Sequence, residues 1–107
     1  MNTPLMFLCN YDKSQCIEIV RFLLDNKADV NATNNYGTTP LIYACRRGHI
    51  DIVRILIESG ADYIICDKKG KSAIDHARKK HNTECVDYLN DLLVSKTEIA
   101  QVAEKSP

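Results

Sequence analysis

Gly37-Thr38-Thr39-Pro40-Leu41-Ile42-Tyr43-Ala44 returns 33 residues later as Gly70-Lys71-Ser72-Ala73-Ile74-Asp75-His76-Ala77, with the glycine, hydroxyl, branched apolar and alanine positions in register. The match continues downstream, where Ile52-Val53-Arg54-Ile55-Leu56 falls over Cys85-Val86-Asp87-Tyr88-Leu89. It also extends upstream: Ile19 to Leu24 stands ahead of Ala28-Asp29-Val30 as Ile52 to Ile57 stands ahead of Ala61-Asp62-Tyr63. One unit therefore occurs three times. A period of this length marks a stack of small units, none of which can bury its apolar face alone.

Each unit reads as two short helices and a link. Thr39 is a good N-cap, and Pro40 suits the first helical position, where a missing N–H costs nothing. Leu41, Ala44 and Cys45 share one face, and Gly48 ends this helix by supplying a left-handed conformation that side chains resist. A second helix follows at once. Ile50, Val53, Leu56 and Ile57 form an apolar stripe with Ile52 and Ile55 beside it, too wide for a single contact, so neighbours on two sides are predicted. Gly60 closes that helix, and Ala61 to Asp67 is predicted as an extended link that turns at Lys68-Lys69-Gly70 into the next unit.

These residues resemble the ankyrin repeat, whose period and T-P-L-H-x-A signature match Thr39-Pro40-Leu41-Ile42-Tyr43-Ala44 in all but the histidine. Gly48-His49, Ile52-Val53 and Gly60-Ala61-Asp62 resemble the later signature residues of that family, and Thr3-Pro4-Leu5 with Ala28-Asp29-Val30-Asn31 resembles the preceding copy. The resemblance covers roughly residues 3 to 93. It implies an all-α solenoid of stacked helix-turn-helix units joined by short β-turn or hairpin links. The expected boundaries are 1–32 for an N-terminally incomplete first repeat, 33–65 for the second, 66–93 for a third that caps the stack, and 94–107 for a tail. Thr83 and Asn90 replace Ile50 and Ile57 in the third copy, which is the polar face expected of a cap. Ser95-Lys96-Thr97-Glu98 forms a capping box ahead of Ile99 and Val102, so a short helix is expected in the tail. With the signature opening at Thr3, a longer parent chain is expected.

Several positions depart from the family pattern. Met6, Ile42 and Asp75 stand where the signature histidine would, so the hydrogen bond it implies cannot form. Lys27 takes the place of Gly60, and His81 that of Gly48; each is expected in a left-handed cap at a cost on the order of 1 kcal/mol. Three extra residues within Asn10 to Gln15 predict a longer loop between the first two helices.

Bulk composition restricts the function classes. Of 107 residues, 45% are apolar and 26% charged, as expected of one soluble globular domain. Fourteen basic side chains cancel fourteen acidic ones, so no overall field draws the chain to nucleic acid or anionic lipid. The five cysteines are scattered and form no C-x-x-C pair, which fits a reducing compartment, the cytoplasm or the nucleus. No apolar run reaches the roughly 18 residues of a membrane span, and Leu5 to Cys9 lacks the basic leader of a secretory signal. Cys45-x-x-x-His49 and His81-x-x-x-Cys85 have helical metal-ligand spacing, but they lie in different repeats and His49 already fits the repeat signature. A cysteine nucleophile is disfavoured too, because both cysteines fall on packed helices. No phosphate loop exists. No catalytic residue, metal, cofactor or small-molecule substrate is expected. Asn31-Ala32-Thr33 matches a glycosylation sequon but reads as a turn; the resemblance implies that an asparagine at this place is open to hydroxylation.

Function in repeat proteins lives on the concave surface of turn tips and first helices. The positions there that packing leaves free are Asn35, Tyr36, Thr38, Arg46 and Arg47, then Lys68, Lys69, Lys71, Lys79 and Lys80. Seven of these ten are basic. Acidic residues collect instead on the second helices and loops, at Asp25, Asp51, Glu58, Glu84, Asp87 and Asp91. The expected function is a non-catalytic scaffold or signalling module that binds another protein through an acidic or phosphorylated segment, with Arg46 and Arg47 as forked donors and Tyr36 as an aromatic anchor. The alternative is polyanion or nucleic-acid binding on the same face, against which zero net charge and few aromatics argue.

Overall fold

The computed structural model of the chain describes residues 3–10 and 17–93. Their helices are α1 (Pro4–Cys9), α2 (Ile17–Asp25), α3 (Pro40–Arg47), α4 (Ile50–Glu58), α5 (Ala73–Lys79) and α6, residues 83–93; no strand forms among them. The helices come in pairs, α1 with α2 and α3 with α4, and successive pairs stack: α1 on α3 on α5 in one layer, α2 on α4 in the other. The expected loop at 11–16 and the tail from 94 onward lie outside the described residues.

The start signals act as read. Thr39 Oγ1 accepts the Ile42 N–H at 3.2 Å with Pro40 at the head of α3, and Thr3 Oγ1 accepts the Met6 N–H at 3.2 Å with Pro4 at the head of α1. At α5 the solution differs. The Asp75 carboxylate accepts both the Ser72 N–H (3.0 Å) and the Ser72 hydroxyl (3.2 Å). Asp75 thus uses the place of the missing signature histidine to hold the helix start, whereas Met6 and Ile42 are simply buried. The two non-glycine caps are also confirmed, with Lys27 at φ 69° and His81 at φ 60°.

The apolar stripes meet in one core. Ile52, Val53, Ile55 and Leu56 of α4 are buried, as are Val20 of α2, Leu41 and Ile42 of α3, and Cys85 and Leu89 of α6. Ile50 and Ile57 remain half-buried at the margins. The leading face of the first pair is different. Phe7 and Phe22 are 65% and 64% exposed, while their repeat counterparts Tyr43 and Ile55 are 8% and 6% exposed. The first pair covers that face of the second; among the described residues nothing covers it on the first.

Links between pairs are turns whose geometry repeats with the sequence. Asn34 Oδ1 accepts the N–H groups of Tyr36 (2.9 Å) and Thr38 (3.0 Å), and Asp67 Oδ1 accepts those of Lys69 (2.9 Å) and Lys71 (3.0 Å). Each side chain thereby supplies the acceptors that a tight turn leaves its amides without. Neighbouring tips join through the Lys68 N–H to the Tyr36 carbonyl at 3.0 Å. A Cβ on Gly37 would sit 3.0 Å from Lys68 N, so this close approach requires glycine. On the exit side, Asn31 donates to the Gly60 carbonyl (3.2 Å) and accepts the Asp62 N–H (2.7 Å), tying the loop after α2 to the loop after α4.

Candidate functional site

The turn tips and first helices enclose two adjoining concavities. The larger, about 440 Å³, is bounded by the end of α3, the tip at 67–71 and the end of α5. The smaller, about 380 Å³, lies toward the preceding tip and is walled by Tyr36, Tyr43, Arg46 and Lys68. Arg46, Asp67, Lys69 and His76 belong to both.

Asp67 organises the shared wall. Besides its two turn amides, its Oδ2 lies 2.8 Å from His76 Nε2 on α5. Burial pushes the Asp67 carboxyl up, but the backbone N–H of Lys71, the His76 hydrogen bond, the Lys69 N–H and the charge of His76 together hold it below the ordinary value of 3.8. An ionised carboxylate only accepts, so Nε2 carries the proton of this contact. One period earlier the same link is neutral: Asn34 Nδ2 donates to the Tyr43 hydroxyl at 2.8 Å. Asp75 is likewise held low, first by the Ser72 N–H, against burial, and then by the Ser72 hydroxyl and the charges of Lys71 and Arg78.

A pH prediction follows from those two carboxylates. Both folded values are depressed, so the stability they contribute is fully present above the unfolded value of 3.8 and is lost as pH falls through the lower folded values. The thermal midpoint of the full chain is expected to be level down to about pH 5 and to fall below it. Asp67→Asn, which keeps the turn acceptor as Asn34 does, should flatten part of that acid slope. An unchanged slope in Asp67→Asn/Asp75→Asn would show that other groups govern it.

Arg46 is half-buried, its guanidinium carbon 5.6 Å from the Tyr43 ring centroid, within range of a cation–π contact. Lys69, Lys71, Arg78, Lys79 and Lys80 complete a set of six cations around the larger concavity. None of the six closes an ion pair with a carboxylate among the described residues.

The family profile described as Ankyrin repeats (3 copies) matches residues 1–67. The chain belongs to the ankyrin-repeat family. Among curated relatives, it is 39% identical over 87 residues to a putative ankyrin repeat protein of Rickettsia bellii, an overlap of 77% of this chain and 52% of that one. It is 37% identical over 89 residues to the ankyrin repeat and KH domain-containing protein mask-1 of Caenorhabditis elegans, covering 82% of this chain and 3% of the relative. It is 34% identical over 117 aligned positions to the E3 ubiquitin-protein ligase XBAT33 of Arabidopsis thaliana, covering 99% and 21%. This chain thus spans about half the length of the bacterial relative and far less of the other two. Ankyrin repeats are generally protein–protein interaction modules.

Against this ankyrin frame, most of the residues picked from sequence do gather on the groove. Tyr36 is 74% exposed at its tip, and Lys68, Lys69, Lys71, Lys79 and Lys80 are exposed around it. Asn35 is exposed but lines neither concavity. Two residues sit differently. Thr38 lines the smaller concavity but is only 5% exposed, its N–H drawn into the Asn34 turn. Arg47 lines neither concavity: its Nε donates to Asn10 Oδ1 at 3.1 Å, at the margin of the smaller one. Adjacent residues on a helix face different ways, so Arg46 and Arg47 cannot both serve one face. Sequence reading missed Arg78, His76 and Tyr43, for which the repeat offset between 43 and 76 was a usable cue.

The cysteines are arranged by the core. Cys45 and Cys85, read as members of separate Cys–His pairs, hydrogen-bond each other, which with burial and the charges of Cys85 and Cys9 pushes the Cys45 thiol far above its ordinary range. In the same contact the hydrogen bond from Cys45 holds the Cys85 thiol below its ordinary value, against burial and the charge of Glu84. Among the described residues no three His, Cys, Asp or Glu side chains come together in a way that could hold a metal ion, and no helix is long and apolar enough to cross a membrane.

Proposed function

We propose that this ankyrin domain is a non-catalytic scaffold module that captures an acidic segment of another protein in the groove between its turn tips and first helices. One observation carries the reading: six cations converge on a single concavity and, among the described residues, none lies within ion-pair distance of a carboxylate, although the chain holds as many acidic residues as basic ones. Beyond Asp67 and Asp75 on its own wall, acids such as Asp51, Glu58, Glu84 and Asp87 lie exposed on α4 and α6. Six cations against two carboxylates on one wall leave a local positive potential that a neutral sum conceals. The exposed Tyr36 supplies a rigid contact of the kind that anchors interfaces. The third helix pair ends the stack in this reading, since Thr83 is exposed and Asn90 half-buried.

Affinity capture from native lysate tests the proposal, with the full chain compared to Arg46→Glu/Lys69→Glu/Lys71→Glu. The triple variant is expected to lose its specific partners while keeping its helical circular dichroism; capture that persists unchanged would end the reading. Varying salt separates the polyanion alternative, because a nucleic-acid binder loses affinity steeply with salt and accepts unrelated polyanions.

A further inference from the structure

The two concavities differ in chemistry, and that difference narrows the kind of acidic segment they suit. Around the larger one the six cations come from three directions: Arg46 from the end of α3, Lys69 and Lys71 from the tip, and Arg78, Lys79 and Lys80 from the end of α5. The two carboxylates on its wall are engaged, Asp67 by two turn amides and His76, and Asp75 by Ser72; neither lies within ion-pair distance of the six, although Asp75 sits in the field of Lys71 and Arg78, so six cations still face two acids. A planar monoanion such as glutamate offers two oxygens and one charge to such a set. A phosphoryl group offers three oxygens and nearly two charges, and its tetrahedral shape meets donors arriving from several sides. The smaller concavity is basic too, through Arg46, Lys68 and Lys69, but adds aromatic surface that the larger lacks, with the exposed Tyr36 ring on one side and the edge of Tyr43, 8% exposed, on the other. Arg46 stands between them as part of both walls.

We infer that the groove is a bipartite seat for a phosphorylated peptide, the phosphoryl group in the basic concavity and an adjoining aromatic side chain between Tyr36 and Tyr43. This rests on the acidic-segment reading above and specifies its ligand.

Fluorescence anisotropy on the full chain tests it with labelled short peptides of randomised flanks. The centre carries phosphoserine, glutamate or serine, and the neighbouring residue is tyrosine or alanine. The phosphoserine–tyrosine series is expected to bind about tenfold more tightly than the glutamate–tyrosine series, as expected of extra charge-assisted hydrogen bonds. Lys71→Gln/Arg78→Gln should erase the preference for phosphate and leave the preference for tyrosine, and Tyr36→Ala the reverse. Both sets of changes lie on the exposed surface, and circular dichroism checks that the fold is kept. If glutamate peptides bind as tightly as phosphorylated ones, the phosphoryl seat is overturned while the acidic-segment reading stands. If neither binds more tightly than the serine series, both fall. If a single-stranded oligonucleotide of equal charge displaces the phosphopeptide at equal concentration, the groove is a general polyanion surface and the inference is overturned.

Discussion

Leu56→Ala is expected to lower the stability of the full chain by about 2–5 kcal/mol, the range for emptying a well-packed leucine site. Leu56 is completely buried in α4, which packs against α3 within its own pair and against α2 of the preceding one. Its carbonyl also accepts the Ala61 N–H at 2.9 Å, so the backbone there is fixed and the void cannot close by simple collapse. A domain of this size has about 5–15 kcal/mol in total, so the loss is a large fraction of what holds it. The second pair carries the interfaces to both neighbours, and damage there is transmitted along the stack. Urea unfolding checks this as a lowered midpoint with little change in slope. Ile64→Ala, at a residue 62% exposed, serves as control and should stay within about 0.5 kcal/mol of the parent. A midpoint for Leu56→Ala as high as that of the control would mean that α4 is not packed as described.

Gly48→Ala should cost about 2–4 kcal/mol, more than any other glycine-to-alanine change at a helix end here, because two effects add at one atom. The residue has φ 76°, where a side chain is strained by roughly 1–2 kcal/mol. The new Cβ would also lie 2.9 Å from Asn82 Oδ1. That amide is not free to swing aside. Its Nδ2 donates to the Cys45 carbonyl at 2.7 Å and the Arg46 carbonyl at 3.0 Å, so it caps the end of α3 from the third helix pair. Displacing it leaves carbonyls unsatisfied at about 1 kcal/mol each. Gly60 offers the comparison: at φ 96° a Cβ would meet nothing within 4 Å, so Gly60→Ala should show the backbone strain alone. Equal losses at the two glycines would remove the part assigned to Asn82. Conversely, His81→Gly is expected to gain about 1 kcal/mol by relieving a left-handed side chain that the chain already tolerates.

The two positions show how far sequence reading reaches. The role of Gly48 as a helix terminator was legible, since a glycine after an apolar run is a local signal with a local cause. The role of Asn82 was not, because a side chain that satisfies carbonyls 36 and 37 residues earlier leaves no mark in its own neighbourhood. Asn34 and Asp67 fall between these cases. Their turn hydrogen bonds are local, and their partners Tyr43 and His76 lie nine residues on in both copies, so aligning polar as well as apolar positions would have exposed the pair.

The candidate site divides along the same line. That basic residues cluster at the turn tips and first-helix ends could be read from the chain. Which of them face the groove depended on rotation about each helix: a 100° step turns Arg47 to Asn10 while Arg46 stays over Tyr43. Arg78 joined the groove only once α5 was placed against α3.

By itself, the amino-acid order determined the repeat, the helix starts and stops, and the stacking of pairs, because capping, backbone restriction and apolar periodicity all act within a few residues. Only the tertiary structure decided which cations converge, which carboxylates are already engaged and which thiols meet, because those depend on distances between residues that the solenoid brings together from successive turns.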